Sequence, residues 1–348
     1  MDLAPTTRLH TLVVPLLVAG CSAPDPGDTY GGPWSPAGDL GELLERVLSG
    51  TVDPRDRPAL EAFVEEASTQ DGPWTHSIRT ATSEDGVAWT VDPAIVWEHA
   101  SVPDAGIADD GRICVFAVDG AIDRFVERAL ANDPAFQEQG LVGLAGLALR
   151  CGEDGAALGP EEPLVVGGNS GVVVDPDVVR LDDGTWDLLY VTGDPVSFLE
   201  EVVPPGTAPL TWPRVARAED GLSFADHAAA DAGRAFLDPT HLREEDGSWW
   251  MLWSGLWTAR SEDDERTWVV ADEPEGLPAM TPDLVRDDGV TWLYHGCSGE
   301  PGICLARFVG EGEWVLEGGR LLERARAPTV VRVPDGTWRM YFVDDGTF

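Results

Sequence analysis

Five prolines in this chain are each flanked by residues whose types could do acid–base or cation chemistry. They are Val102 and Asp104 around Pro103, Asp175 and Asp177 around Pro176, Asp238 and Thr240 around Pro239, Thr281 and Asp283 around Pro282, and Ala327 and Thr329 around Pro328. Four of the five pairs carry a carboxylate. Carboxylates gathered in one concave place raise one another's pKa or hold a cation. An Asp beside a Pro also does plainer work, because its side chain starts a strand through an Asx turn. The choice between the two depends on whether the chain brings these sites together.

A repeat does so. Each proline opens the same phrase: a few apolar residues, an Asp-rich turn, Gly, then an alternating aromatic strand. The turns are Asp110-Gly111, Asp183-Gly184, Asp246-Gly247, Asp288-Gly289 and Asp335-Gly336. Apolar alternation on both sides of an Asp-Gly turn predicts a β-hairpin. A second phrase is interleaved with the first, a short strand running into an acidic turn: Arg79 to Trp89, Leu147 to Leu158, Val215 to Phe224, Thr258 to Trp268 and Cys304 to Trp314. If the first phrase supplies strands A and B and the second strands C and D, each copy is one four-stranded propeller blade.

The order of the phrases predicts closure. The chain opens its repeats on a C–D pair at 76–92 and ends them on an A–B pair at 327–343. Four blades are contiguous and the fifth is assembled from both ends. Such a splice closes the ring and hides sheet edges, whereas a solenoid would need capped ends. The fold expected is all-β, a five-bladed β-propeller closed by N- and C-terminal strands, with a short N-terminal helical segment. In a propeller every strand A lines the central axis, so the five proline flanks converge on one axial funnel.

The expected domains are 1–20, a signal peptide; 21–37, a tether; 38–73, a helical segment; and 74–348, the propeller. Helices are expected at Asp39 to Leu48 and Pro54 to Ala67, the second opened by Asp53 as N-cap and Pro54. An insertion at Ala121 to Gln139 is expected to be helical at Arg124 to Ala131. A second, at Pro195 to Pro213, reads as a loop. The apolar run Leu12 to Ala19 is too short to span a membrane. It ends in Leu17-Val18-Ala19-Gly20-Cys21, which resembles the bacterial lipoprotein signal; the resemblance implies acylation of Cys21. Ser22 after the Cys fits outer-membrane sorting, so the expected location is the bacterial cell envelope, lipid-anchored, with no other membrane contact.

Four further cysteines in an exported chain suggest disulfides. The blade register sets Cys114 opposite Cys151 and Cys297 opposite Cys304 on neighbouring B and C strands. The net charge is −39, and all 23 basic residues are Arg. A field of that sign repels nucleic acid. A monomer is expected.

The phrase Asp175 to Val191, DPDVVRLDDGTWDLLYV, resembles the repeat of five-bladed propeller glycoside hydrolases, the arabinanase/β-xylosidase and invertase/levanase groups. The resemblance covers 74–348. It implies a carbohydrate partner and three carboxylates on the first three strand-A starts: a base or nucleophile, a pKa-tuning Asp and a Glu acid. Two facing carboxyls are what glycosidic cleavage needs. Asp175 matches the tuning Asp. The base position falls on Val102, with Asp104 as its substitute, and the acid position falls beside Asp238, where the family has Glu. The candidate catalytic set is therefore Asp104, Asp175 and Asp238. Asp177, Asp283, Trp253 and Trp257 are candidate ligand contacts. No metal or cofactor is implied, although Ca²⁺ would suit the funnel. The alternative is a non-catalytic glycan- or protein-binding propeller.

Other recurring residues read as structural. Trp186, Trp249, Trp292 and Trp338 repeat in strand B, where aromatics pack between sheets. The turns Ser83 to Gly86 and Ser261 to Asp264 resemble the peripheral Asp-box turns of sialidases, with Glu265 where that box has Gly. Arg180, Arg243, Arg286 and Arg332 recur four residues after the proline, which predicts a repeated salt bridge. The six His residues show no metal spacing.

Overall fold

The computed structural model describes residues 37–69, 71–136, 144, 146–167, 172–193, 211–230, 237–271, 280–299, 301–310 and 312–344. Cys21 and the tether lie outside them. The described strands form five sheets, each a blade. Blade 1 runs Ala100–Ile107, Ile113–Asp119, Gly146–Gly152 and Glu162–Pro163 from the axis outward. Blade 2 is Val172–Arg180, Trp186–Gly193, Thr211–Ala218 and Ser223–Ala229, with Val165–Val166 pairing in parallel at its edge. Blade 3 is Thr240–Arg243, Trp249–Trp253, Trp257–Ser261 and Val269–Val270. Blade 4 is Met280–Asp287, Val290–Gly296, Gly302–Gly310 and Glu313–Leu316.

Blade 5 is the splice. Ala325–Arg332 and Trp338–Asp344 give its inner strands, and Ser77–Ser83 and Thr90–Glu98 its outer ones. The two chain ends meet in an unbroken antiparallel register from Ser77 opposite Asp344 to Ser83 opposite Trp338. The fold is the five-bladed propeller the repeat implies.

The hairpin turns follow the Asp-Gly signal. Gly184 and Gly289 sit at φ 85° and 77°, where a Cβ would be strained. In blade 4 the turn is tighter, and Asp288 also goes left-handed at φ 47°. Between blades the aromatics pack as expected. Trp186 of blade 2 fills the space left by Gly106 of blade 1, where an added Cβ would lie 2.5 Å from the indole. It also meets Phe116 at 5.3 Å.

Three sequence expectations are adjusted. The second helix begins as a 3₁₀ turn at Pro54–Asp56, capped by Asp53, and becomes α only over Arg57–Ala67. Strand C of blade 2 starts at Thr211, inside the stretch read as loop, because Thr211 to Ala218 pair in register with Gly193 to Trp186. Cys114 does face Cys151 and bonds to it. Cys297 also bonds to Cys304, but diagonally: the strand ends at Gly296, and Cys304 lies across from His295.

The helices Ala37–Ser49 and Arg57–Ala67 dock on the blade 1 insertion, whose helix is Phe125–Leu130. Phe63 meets Phe125 at 6.0 Å, and Leu43, Leu44, Val47 and Leu60 join the same core as Phe116 and Trp186. The N-terminal segment is thus part of the propeller's packing.

Candidate functional site

The residue before each repeated proline is bent into the left-handed region: Val102 at φ 46°, Asp175 at 51°, Asp238 at 49°, Thr281 at 46° and Ala327 at 46°. Residues before proline ordinarily stay extended, so this conformation is costly. It recurs on every blade, and the strand register breaks there in blades 1, 2, 4 and 5. Around these bends most of the polar flanking side chains reach the next blade.

A ring and an open arc of hydrogen bonds are found there. In the ring, the residue after the proline serves the next blade's backbone on four of the five blades. Asp104 accepts the N–H of Val178. Asp177 accepts the N–H of His241 at 2.7 Å, Thr240 Oγ1 that of Leu284 at 3.0 Å, and Asp283 that of Val330 at 2.7 Å. Thr329 completes the circle by donating to the second oxygen of Asp104 at 2.7 Å. In the arc, which runs from blade 2 to blade 5, Asp175 accepts the N–H of Asp238 at 3.2 Å and Thr281 that of Ala327 at 3.2 Å. Ser254 bridges the gap between them. It donates to Asp238 at 2.8 Å and accepts from the N–H of Thr281 at 3.1 Å.

Asp104, Asp177, Asp238 and Asp283 line one axial cavity with the five prolines, whereas Asp175 does not line it. The cavity holds about 20 Å³, room for a water or one ion and not for a sugar ring. Carboxylate oxygens of Asp104, Asp177 and Asp283 lie within 4.8 Å of one another, the spacing at which oxygen ligands can share a hard cation. Burial raises the Asp104 carboxyl well above the usual range, and the Asp177 charge adds to it. Burial raises Asp283 likewise, with Asp104 and Asp177 adding. Burial and the neighbouring Asp238 raise Asp175. Burial pushes Asp238 up to about 6, against the pull of the Ser254 hydrogen bond.

Both oxygens of Asp104 are therefore engaged, one by Val178 and one by Thr329. Asp238 is different, because its Oδ1 is buried without a hydrogen-bond partner among the described residues. Trp253 is core, at 3% exposure. Trp257 is half-buried beyond the turn that carries Ser254. Val102 has the same left-handed backbone as Asp175 and Asp238 but offers no carboxyl.

A second polar cluster leads outward from the axis between blades 2 and 3. His241 is fully buried and stacks on Trp249, with ring centroids 5.0 Å apart. Its Nδ1 meets Asp177. Its Nε2 lies 3.3 Å from Asp187 and 3.7 Å from Glu265. Arg217 closes the cluster, 2.5 Å from Asp187 and 3.1 Å from Glu265, and reaches half-exposed Asp264 at 2.8 Å. Burial alone would push the His241 imidazole down; Asp177, Asp187 and Glu265 outweigh it and hold the ring well above its ordinary value. Sequence reading missed this group, since its members are far apart in the chain. The one signal was Glu265 standing where the turn motif has Gly.

Three of the four recurring arginines make the predicted bridge, each to the turn of the preceding blade: Arg180 to Asp109 at 2.6 Å, Arg286 to Glu244 at 2.5 Å, and Arg332 to Asp287; Arg243 makes no such bridge among the described residues. The acidic turns are structural too. Asp85 accepts the N–H groups of Val87 and Ala88 at 2.9 and 2.8 Å.

No protein-family model and no curated protein matches this chain. Solved structures do. A protein of unknown function from Dyadobacter fermentans is similar over 77% of this chain and 84% of its own, at 16% identity and a TM-score of 0.51. A thermostable family-43 glycoside hydrolase covers 70% of this chain and 88% of its own, at 13% identity and a TM-score of 0.47. A GH43_1 enzyme from Xanthomonas citri, complexed with xylotriose, covers 70% and 80%, at 13% identity and 0.47. At such identities the likeness speaks to the fold alone, the five-bladed propeller described above.

Proposed function

We propose that this chain is an envelope-anchored, glycoside hydrolase-like propeller that binds carbohydrate across its axial mouth without cleaving it. The observation that carries this reading is Val102. Its backbone repeats the bend of Asp175 and Asp238, so the place of a first-blade carboxylate exists and holds an isopropyl group. The substitute, Asp104, has both oxygens committed to blades 2 and 5. A carboxylate already serving as acceptor to a buried N–H and a hydroxyl is poorly placed to activate water. With one facing partner missing, the pair that glycosidic cleavage requires is incomplete. Half-buried Trp257, beyond the turn that carries Ser254, supplies an aromatic edge for a sugar lying over the mouth rather than in the small cavity. Carbohydrate as the ligand rests on the resemblance of the repeat to the arabinanase, xylosidase and fructan-hydrolase groups. Anchoring rests on the signal ending at Cys21.

The test uses soluble protein beginning at residue 22, titrated calorimetrically with oligosaccharides of xylan, arabinan and levan. One series should bind, and Trp257→Ala should weaken it about tenfold, near 1.4 kcal/mol. Binding to none of them by the folded protein would overturn the reading. Anchoring is checked separately: Cys21→Ala should move the full chain from the membrane to the soluble fraction, and an unchanged distribution would refute it.

A further inference from the structure

The turn at Ser261 departs from its own repeat. In blade 5 the backbone N–H of Gly86, at φ 74°, bonds to Ser83 Oγ at 2.9 Å. In blade 3 the N–H of Glu265, at φ 66°, bonds to Ser261 Oγ at 3.0 Å. The blade 3 turn is one residue longer, with Asp264 also left-handed at φ 58°, but the same hydrogen bond to the serine is made there by a Glu in a conformation that favours glycine. That Glu is also fully buried, with its carboxyl turned inward.

We propose that Asp187, His241 and Glu265 form a binding site for a divalent transition-metal ion of the zinc class, between blades 2 and 3. Asp187 and Glu265 each give one oxygen to Arg217, Oδ2 and Oε2, and each turns the other, Oδ1 and Oε1, toward His241 Nε2. Each of the three residues can offer one ligand atom within 4.8 Å of the other two. The separations from Nε2, 3.3 and 3.7 Å, approach the edge of a tetrahedron built on zinc bonds of about 2.0–2.2 Å, roughly 3.4 Å. Nδ1 of the same ring meets the Asp177 carboxylate, which makes Nε2 the free ligand atom, and Trp249 fixes the ring plane. A carboxylate on the far nitrogen of a ligating histidine is the usual outer partner of a metal site.

A plain ion-pair network explains less. An imidazolium at this place would donate to Asp187, but 3.7 Å is too long for a hydrogen bond to Glu265. Glu265 Oε1 makes no hydrogen bond of good geometry among the described residues, and its contact with Asp187 would need a proton held between two buried acids. A metal ion gives that oxygen its partner. The imidazole ligand favours the zinc class over calcium, which takes oxygen ligands. Arg217, His227 and Asp264 join the cluster on its outer side, with Asp264 43% exposed.

The experiment is cobalt and zinc titration of the purified, chelator-treated protein. The site predicts about one tightly bound Zn²⁺ per chain, visible d–d absorption of tetrahedral type with Co²⁺, and a higher melting temperature with either ion. Glu265→Gly restores the residue this backbone favours, so it should fold, yet lose the cobalt spectrum and the thermal shift. His241→Gln should lose them as well. Absence of the cobalt bands in the wild-type protein, or their persistence in folded Glu265→Gly, would overturn the proposal.

Discussion

Asp177 holds His241 twice, accepting its backbone N–H at 2.7 Å and its ring Nδ1–H on the same carboxylate oxygen. One side chain therefore fixes both the register of blade 3 against blade 2 and the orientation of a buried imidazole. Around the axis the same position does the first of these jobs on blade after blade. Carboxylates that looked like a reactive set from their spacing are in large part the fasteners of the ring. What the fastening leaves over, among the described residues, is the buried Asp238 Oδ1 and the His241 cluster.

The fastening predicts an asymmetry between two substitutions at Asp283. Asp283→Ala strands the buried N–H of Val330 and should cost about 1–3 kcal/mol in denaturant unfolding. Asp283→Asn keeps a carbonyl acceptor and removes a buried charge, so its loss should be smaller. Equal losses would show that the hydrogen bond to blade 5 is not what Asp283 contributes.

The axial carboxyls also predict a pH dependence. Asp238 is raised from 3.8 to about 6, so the folded chain holds that proton more tightly than the unfolded one. The resulting stability is full below about pH 4 and is lost as pH rises through about 6, with an amplitude on the order of 3 kcal/mol. Asp104, Asp175 and Asp283 shift in the same direction. Asp238→Asn should flatten this fall between pH 4 and 7. A difference curve with no pH dependence would contradict the burial of that group.

The two disulfides should contribute unequally. Cys114–Cys151 spans 37 residues and Cys297–Cys304 spans 7. Chain-entropy reasoning assigns them about 4 and about 2.5 kcal/mol. Paired Cys→Ala variants compared by urea unfolding would reveal the order, and a larger loss at Cys297–Cys304 would reverse it.

Closure predicts that the chain cannot be shortened at its first strands. Removing 77–98 strips both outer strands from blade 5 and exposes the edge of Trp338–Asp344. The shortened chain should lose its cooperative melting transition. A transition retained near the full-length temperature would contradict the splice.

The ring was legible in the sequence because its signals are local and repeated: proline starts, Asp-Gly turns and aromatic alternation recur on each blade. The chemistry was less legible. Whether Asp104 is a base or a fastener depends on which backbone N–H stands opposite, here Val178, and no spacing rule reaches across blades. Ser254, which ties Asp238 to Thr281, sits in a turn with no repeat to mark it. Asp187, His241 and Glu265 meet only because three blade elements pack together. Trp253 looked like a sugar platform from composition and lies in the core because strand B is flanked on both faces.

The most direct test of the central claim is product release. Folded wild-type protein would be incubated with xylan, arabinan and levan oligosaccharides across pH 4–8, and products followed by mass spectrometry. An axis with Val102 in the first carboxylate's place predicts bound but uncleaved oligosaccharide. Catalytic turnover that disappears in Asp175→Asn or Asp238→Asn would contradict the account and establish the axial carboxyls as a working hydrolytic pair.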